Sequence, residues 1–229
     1  MIDNYNFIKQ VSNWRLRILF KIIKIMCGFF GCFSAKSNIR NIKNIYKGYS
    51  LQHRGPDDHS YFSNKNLYCE FFRLEILGGK KGKQPMISRN KRFLILYNGE
   101  IYNYKELAND YLNIKKEEQE LSDTRVLLEL FSKFGLKAVE KFNGMFAIVL
   151  YDFKDKKIFL IRDRFGTKPL YYSISKDVVY FSSEIKGIPT KKEVNLNVVK
   201  DYLELGYYPN RKTFFSKIKN LKPASFLIF

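Results

Sequence analysis

The stretch I-M-C-G-F-F-G-C-F, residues 25–33, decides how this chain is read. It sets Met26 directly before Cys27, and glycines and phenylalanines come after. Two readings are open. A free cysteine is among the most often buried residue types and usually serves as inert packing. Alternatively, Cys27 is a nucleophile that must become the first residue of the mature chain, a role that needs a lowered thiol pKa and exposure. The rest of the sequence has to choose.

The chain has 229 residues, enough for one substantial domain and at most part of a second. Hydrophobic residues make up 45% and charged residues 28%, a globular mix that excludes collagen-like and disordered chains. No apolar run approaches the roughly 18 residues that a membrane span requires. The formal net charge is +19, from 41 Lys and Arg against 22 Asp and Glu. Such an excess permits contact with nucleic acid or an anionic membrane. The lysines are scattered rather than clustered on one element, so we read a compositional bias and no specific nucleic-acid site. The three cysteines, Cys27, Cys32 and Cys69, give no disulfide framework and fit a reducing, cytoplasmic compartment. Cys27 and Cys32 lack C-x-x-C spacing and only two histidines occur, so no metal site is expected.

Residues 1–26 differ in character from the remainder of the chain. R-L-R-I-L-F-K-I-I-K-I places Leu16, Leu19, Phe20 and Ile23 on one side of a helix. Lys21 and Lys24 interrupt any apolar core, and no A-x-A-like site comes after it, which argues against a secretory signal. A membrane-surface helix, a removable leader and a mis-assigned start are the alternatives. Ile39, Ile42, Ile45 and Tyr46 predict a helix over 39–52, stopped by the turn cluster H-R-G-P-D-D. R-F-L-I-L-Y before Asn98 predicts a buried strand, and D-T-R-V-L-L-E-L-F-S-K-F (123–134) an amphipathic helix closed by Gly135. The runs 145–151, 157–162, 169–174 and 178–182 predict strands in meander order, hence an antiparallel sheet with helices on its faces. A further helix is expected after residue 191, and the strand-like end L-I-F suggests a chain cut before its next domain.

Several short motifs have both a structural and a chemical reading. N-G-E (98–100) is a hairpin turn signal. Equally, an Asn amide and a Gly N–H can point at one developing negative oxygen, and Gly lets a ligand approach the backbone closely. Arg73 lies within the apolar stretch F-R-L-E-I-L, where a guanidinium needs a partner such as a ligand carboxylate. Asp123 of S-D-T is either a ligand anchor or a first-turn helix residue favoured by the macrodipole. R-D-R-F-G-T-K-P-L-Y-Y (162–172) reads by composition only as a charged turn between strands.

Taken together, M-C-G-F-F-G, R-G-P-D, R-L-E-I-L, Q-P-M, N-G-E-I-Y-N, S-D-T, F-N-G-M-F-A-I-V-L-Y-D, R-D-R-F-G-T-K-P-L-Y-Y and S-S-E-I-K-G resemble the glutamine-hydrolysing domain of asparagine synthetases. That domain is a class II glutamine amidotransferase. The motifs stand in family order over residues 26 to about 188. R-G-P-D together with N-G-E-I-Y-N points to this branch rather than to the purine or glucosamine-phosphate amidotransferases. The resemblance implies an α+β fold, the four-layer αββα sandwich of N-terminal-nucleophile hydrolases. It implies Cys27 as nucleophile, Asn98 and Gly99 as oxyanion donors, and Arg73, Glu100 and Asp123 as the residues that bind glutamine. It implies no cofactor in this chain, since ATP and Mg belong to a synthetase domain or subunit that would receive the ammonia. The default acceptor is aspartate.

The same resemblance divides the chain into an extension (1–26), the amidotransferase domain (27–190) and a linker toward a synthetase domain (191–229). It also exposes departures. Residues 1–26 precede Cys27, and an acylated nitrogen cannot serve as a base, so activity requires a start at Met26 or removal of a leader. Otherwise the chain is a silent glutamine-binding remnant or partner subunit. The S-G-G-x-D-S-like pyrophosphate loop of the synthetase domain does not occur. Glu75 and Gly78 replace the small residue and Asp usual in the family.

Overall fold

The computed structural model describes residues 26–39, 44–46, 49–75, 82–112, 122–208 and 212–229. The expectations placed on residues 1–25 and on Gly78 lie outside them. The first strands are Gly28–Phe33 (β1), Asp58–Ser63 (β2), Leu67–Arg73 (β3), Met86–Ile87 (β4) and Phe93–Ile101 (β5). Helices Tyr104–Leu112 (α1) and Asp123–Phe134 (α2) come next, then Gly144–Asp152 (β6), Lys157–Arg162 (β7), Tyr171–Ser175 (β8) and Val178–Ser182 (β9). Leu196–Leu205 (α3), Lys219–Asn220 (β10) and Ser225–Ile228 (β11) complete the order. All pairings are antiparallel, in a six-stranded sheet β10-β8-β9-β1-β3-β2 and a five-stranded sheet β11-β7-β6-β5-β4.

The two sheets form the expected α+β sandwich. Neighbouring residues of a strand face opposite ways. Phe29 and Leu94 therefore enter the core between the sheets, with Phe71, Leu96, Val149 and Phe181. Phe30 and Ile95 point outward. Ile95 and Ile148 pack under Val126, Leu127 and Phe131 of α2. Phe30, Tyr68 and Phe72 pack under Ile39, Tyr46, Leu51 and Ile188. Gly135 closes α2 with φ of 59°, the conformation that glycine tolerates best.

Several expectations change. The helix over 39–52 falls partly outside the described residues. What is described there is a single 3-10 turn at 44–46, with Ile39 and Tyr46 buried but Ile45 exposed. The meander expected to form one sheet divides: β6 and β7 lie in the smaller sheet, β8 and β9 in the larger. The chain crosses between them at 163–170. N-G-E is not a hairpin turn, because Asn98 and Gly99 lie within β5 opposite Ala147 and Phe146. The segment 191–229, expected as a linker, supplies α3 and an edge strand to each sheet.

Phe181 is fully buried and tilts against Phe29 at 6.4 Å between centroids. Phe181→Ala should cost about 3–5 kcal/mol through the cavity it leaves. Urea unfolding should show this as a lower midpoint with an unchanged slope.

Candidate active site

Cys27 leads into β1, the strand flanked by β3 and β9. Its sulfur accepts the Leu74 N–H at 3.3 Å, and its thiol reaches the Leu74 carbonyl at 3.5 Å. Arg54, the arginine of R-G-P-D, donates through Nε to the Cys27 carbonyl at 3.1 Å. It is braced in turn by Glu184 at 3.1 Å, which also binds His53 at 2.7 Å. Burial pushes the Cys27 thiol above its ordinary value, while the Leu74 amide and the Arg73 and Arg54 guanidinium groups pull it back. The thiol is thus protonated at neutral pH and needs a base to become a nucleophile.

Asn98, Gly99 and Glu100 lie on β5, which has a partly free edge. β4 pairs with β5 only at Leu94 and Ile95. Beyond them the Gln84 side chain takes over the role of a strand. Its carboxamide donates to the Tyr97 carbonyl at 3.1 Å and accepts the Tyr97 N–H at 2.6 Å. In an antiparallel strand, a residue's N–H and C=O point to the same side, and residues i and i+2 share that side. Gly99 therefore turns its N–H to the same open edge. Two residues on, the Ile101 N–H reaches the Asp123 carboxylate at 3.4 Å. Gly99 stands between these two satisfied donors and faces the pocket. A side chain there would collide, because a Cβ would lie 2.2 Å from the Met145 carbonyl.

Asp123 opens α2 and is buried. Tyr97 Oη donates to its Oδ2 at 2.8 Å and the Thr124 N–H to its Oδ1 at 2.7 Å. Burial raises its carboxyl above the usual range, and these donors oppose the rise. Arg73, at the end of β3, is 5% exposed and pairs with Glu75 at 3.5 Å. Cys27, Arg73, Gln84, Gly99, Glu100 and Asp123 line one pocket.

Five of the six residues singled out from the sequence thus converge. Asn98 is placed differently. The alternation of β5 turns its side chain into the space between the sheets, with Leu94 and Leu96, the side against which Cys27 packs. There its amide nitrogen is buried with no hydrogen-bond partner among the described residues. A donor so placed is costly unless something accepts from it. The sequence pattern gives no role to Gln84 or Tyr97, and it places Arg54 only in a turn cluster. The Q-P-M and R-G-P-D motifs were the available signals.

A profile of the glutamine amidotransferase domain family matches residues 26–229. The asparagine synthetase [glutamine-hydrolyzing] 1 of Bacillus subtilis is 32% identical over 207 residues, covering 87% of this chain and 33% of that protein. The asparagine synthetase [glutamine-hydrolyzing] 1 of Arabidopsis thaliana is 33% identical over 167 residues, covering 71% of this chain and 28% of that protein. The chain therefore spans about a third of the length of these curated relatives. Among solved structures, the allosteric regulatory enzyme of purine biosynthesis superposes with a TM-score of 0.61 at 18% identity, over 88% of this chain and 46% of the other. Glutamine phosphoribosylpyrophosphate amidotransferase from B. subtilis superposes with a TM-score of 0.57 at 18% identity, over 88% of this chain and 47% of that chain. At that identity the likeness concerns the fold.

The raised carboxyl of Asp123 has a consequence for stability. A folded-state pKa above the unfolded one contributes stability at low pH that is lost as pH rises through the folded value. Asp123→Asn removes that loss. The stability of the variant relative to the parent should be greatest at neutral pH and should shrink as the pH falls toward about 4. Paired urea titrations across that range measure it.

Proposed function

The chain belongs to the glutamine amidotransferase domain family, and on that premise we propose that it releases ammonia from glutamine through a thioester on Cys27. The observation that carries this reading is the convergence of a thiol, an open-edge Gly99 N–H and two opposite charges on one pocket. Arg73 pairs the α-carboxylate of glutamine and Asp123 its α-ammonium, with Glu100 beside them. The side-chain amide then lies over the sulfur.

Catalysis begins when Cys27 is the first residue. Its α-amino group, with a pKa of about 7.7–8.0 when unperturbed, takes the thiol proton. The thiolate attacks the amide carbon, and the carbonyl oxygen gains the negative charge. Gly99 donates its N–H to that oxygen, and the unpartnered Asn98 amide supplies the second donor. The C–N bond breaks as the ammonium returns its proton to the leaving nitrogen, so ammonia departs and the acyl group stays on sulfur. Water then attacks the thioester, releasing glutamate and the thiol.

On this reading the ammonia passes to a synthetase domain or subunit of an asparagine-synthetase-like enzyme in the cytoplasm, with aspartate as acceptor and ATP and Mg used there. An exposed apolar surface supports a docked partner. Phe165, 84% exposed, projects from the crossing between the sheets, and α3 exposes Leu196, Leu203 and Leu205. Among the described residues no helix is long and apolar enough to cross a membrane.

The test is glutamine-dependent ammonia release from a chain whose N-terminus is mapped by intact mass. A chain beginning at Cys27 should be active, and Cys27→Ala should abolish the activity. Asn98→Ala should lower kcat by about 10²–10³. A natively expressed chain that begins at Met1 or Ile2 and stays silent with glutamine would instead favour a glutamine-binding remnant with Cys27 blocked, and a folded chain that begins at Cys27 and stays silent would overturn the reading.

Glu75 offers a second check. It is 49% exposed and competes with the glutamine carboxylate for Arg73. Glu75→Ala should lower the KM for glutamine about two- to fivefold, the range of an exposed ion pair, and leave kcat unchanged.

A further inference from the structure

Lys168 belongs to R-D-R-F-G-T-K-P, a stretch that composition reduces to a turn. The structure treats it otherwise. Its side chain is 6% exposed, and its Nζ lies 2.9 Å from the Sδ of Met26, the residue directly before Cys27. A thioether is a weak acceptor, and an ammonium is rarely buried against one without a reason.

The main chain around it is clamped. Asp163 accepts the N–H groups of Phe165, Thr167 and Lys168 at 3.0, 3.0 and 3.1 Å. Arg162 donates to the Lys168 carbonyl at 2.8 Å and to the Gly166 carbonyl at 2.7 Å. Further Arg162 bonds reach Asn220 at 2.6 Å and the Leu221 carbonyl. A buried arginine and a buried aspartate thus hold the C=O and the N–H of Lys168, and Pro169 restricts the backbone of the lysine before it. The lysine is aimed, not merely tolerated.

The charges that bear on Lys168 are Arg54 before β2, Glu100 on β5, Asp163 after β7 and the Cys27 sulfur. Arg73 on β3 bears on Cys27 from another side. Burial and Arg54 hold the lysine below its usual value, while Glu100, Asp163 and Cys27 favour its charge.

We propose that Lys168 is a positioning residue for the nucleophile. With Met26 gone, its cation stands beside the new α-amino group of Cys27 and disfavours a second positive charge there, so the amine stays a free base near neutral pH. A like charge at close range lowers an amine's pKa. The inference rests on the reading of Cys27 as an N-terminal nucleophile.

The experiment uses the chain that begins at Cys27, with Lys168→Met, Lys168→Gln and Lys168→Arg. The first readout is the pH profile of kcat/KM for glutamine. Its acid limb should move up by about one unit in the neutral variants and stay near the parent in Lys168→Arg. The second readout needs no turnover: carbamylation of the α-amine by cyanate, followed against pH by intact mass in a Cys27→Ala background. The amine should titrate higher without the lysine. Identical amine titrations in folded parent and neutral variants overturn the proposal whether or not glutamine is hydrolysed. A shifted titration in a chain silent toward glutamine upholds the role of Lys168 and overturns the proposed function instead.

Discussion

The exposed edge of β5 is the constraint on which the site depends. A nine-residue strand pairs along its whole length with β6 but is met by β4 at only two residues. The remaining edge must satisfy its backbone donors some other way or leave them open for a ligand. Gln84 satisfies Tyr97, and Asp123 satisfies Ile101. Gly99 holds the donor position between them and lines the pocket. A glycine at 99 is required by the same geometry, because β6 comes too close for a side chain.

Burial and hydrogen bonding shift the buried acidic groups in two directions. Asp152 and Asp163 are buried too, but Arg92 or several backbone amides keep their carboxyls below the usual range. They serve the fold. Asp123 and Cys27 are shifted the other way, toward their neutral forms. Burial raises the packed thiols of Cys32 and Cys69 as well, so the direction of a shift marks a site only together with its place in the pocket. Asp123 and Arg73 nevertheless bring a carboxyl and a guanidinium to one pocket, where Arg73 pairs with Glu75.

The crossing between the sheets links the two halves of the site. Residues 163–170 leave the strand beside β6 and enter the one beside β9, which itself pairs with β1 behind Cys27. Arg162 and Asp163 tie this crossing to β6 and to the segment before β11. A single loop thereby carries Lys168 inward beside Met26 and Phe165 outward into solvent.

By itself the sequence determined the strongly periodic elements. The helix 123–134, the apolar strand ahead of Asn98 and the strands of the 145–182 run arise from local hydrophobic pattern and turn residues, which act over a few neighbours. Its motifs, read through resemblance, also named the six site residues. β1 escaped because all six of its residues are buried, which erases alternation, and its two glycines read as breakers. β2 escaped as a half-polar edge strand. The division of the strands between two sheets, the facing of Asn98 and Gly99 in opposite directions, the stand-in strand made by Gln84 and the burial of Lys168 beside Met26 were decided only in three dimensions. Each depends on register between segments far apart in the chain, and no local pattern of residues encodes that register.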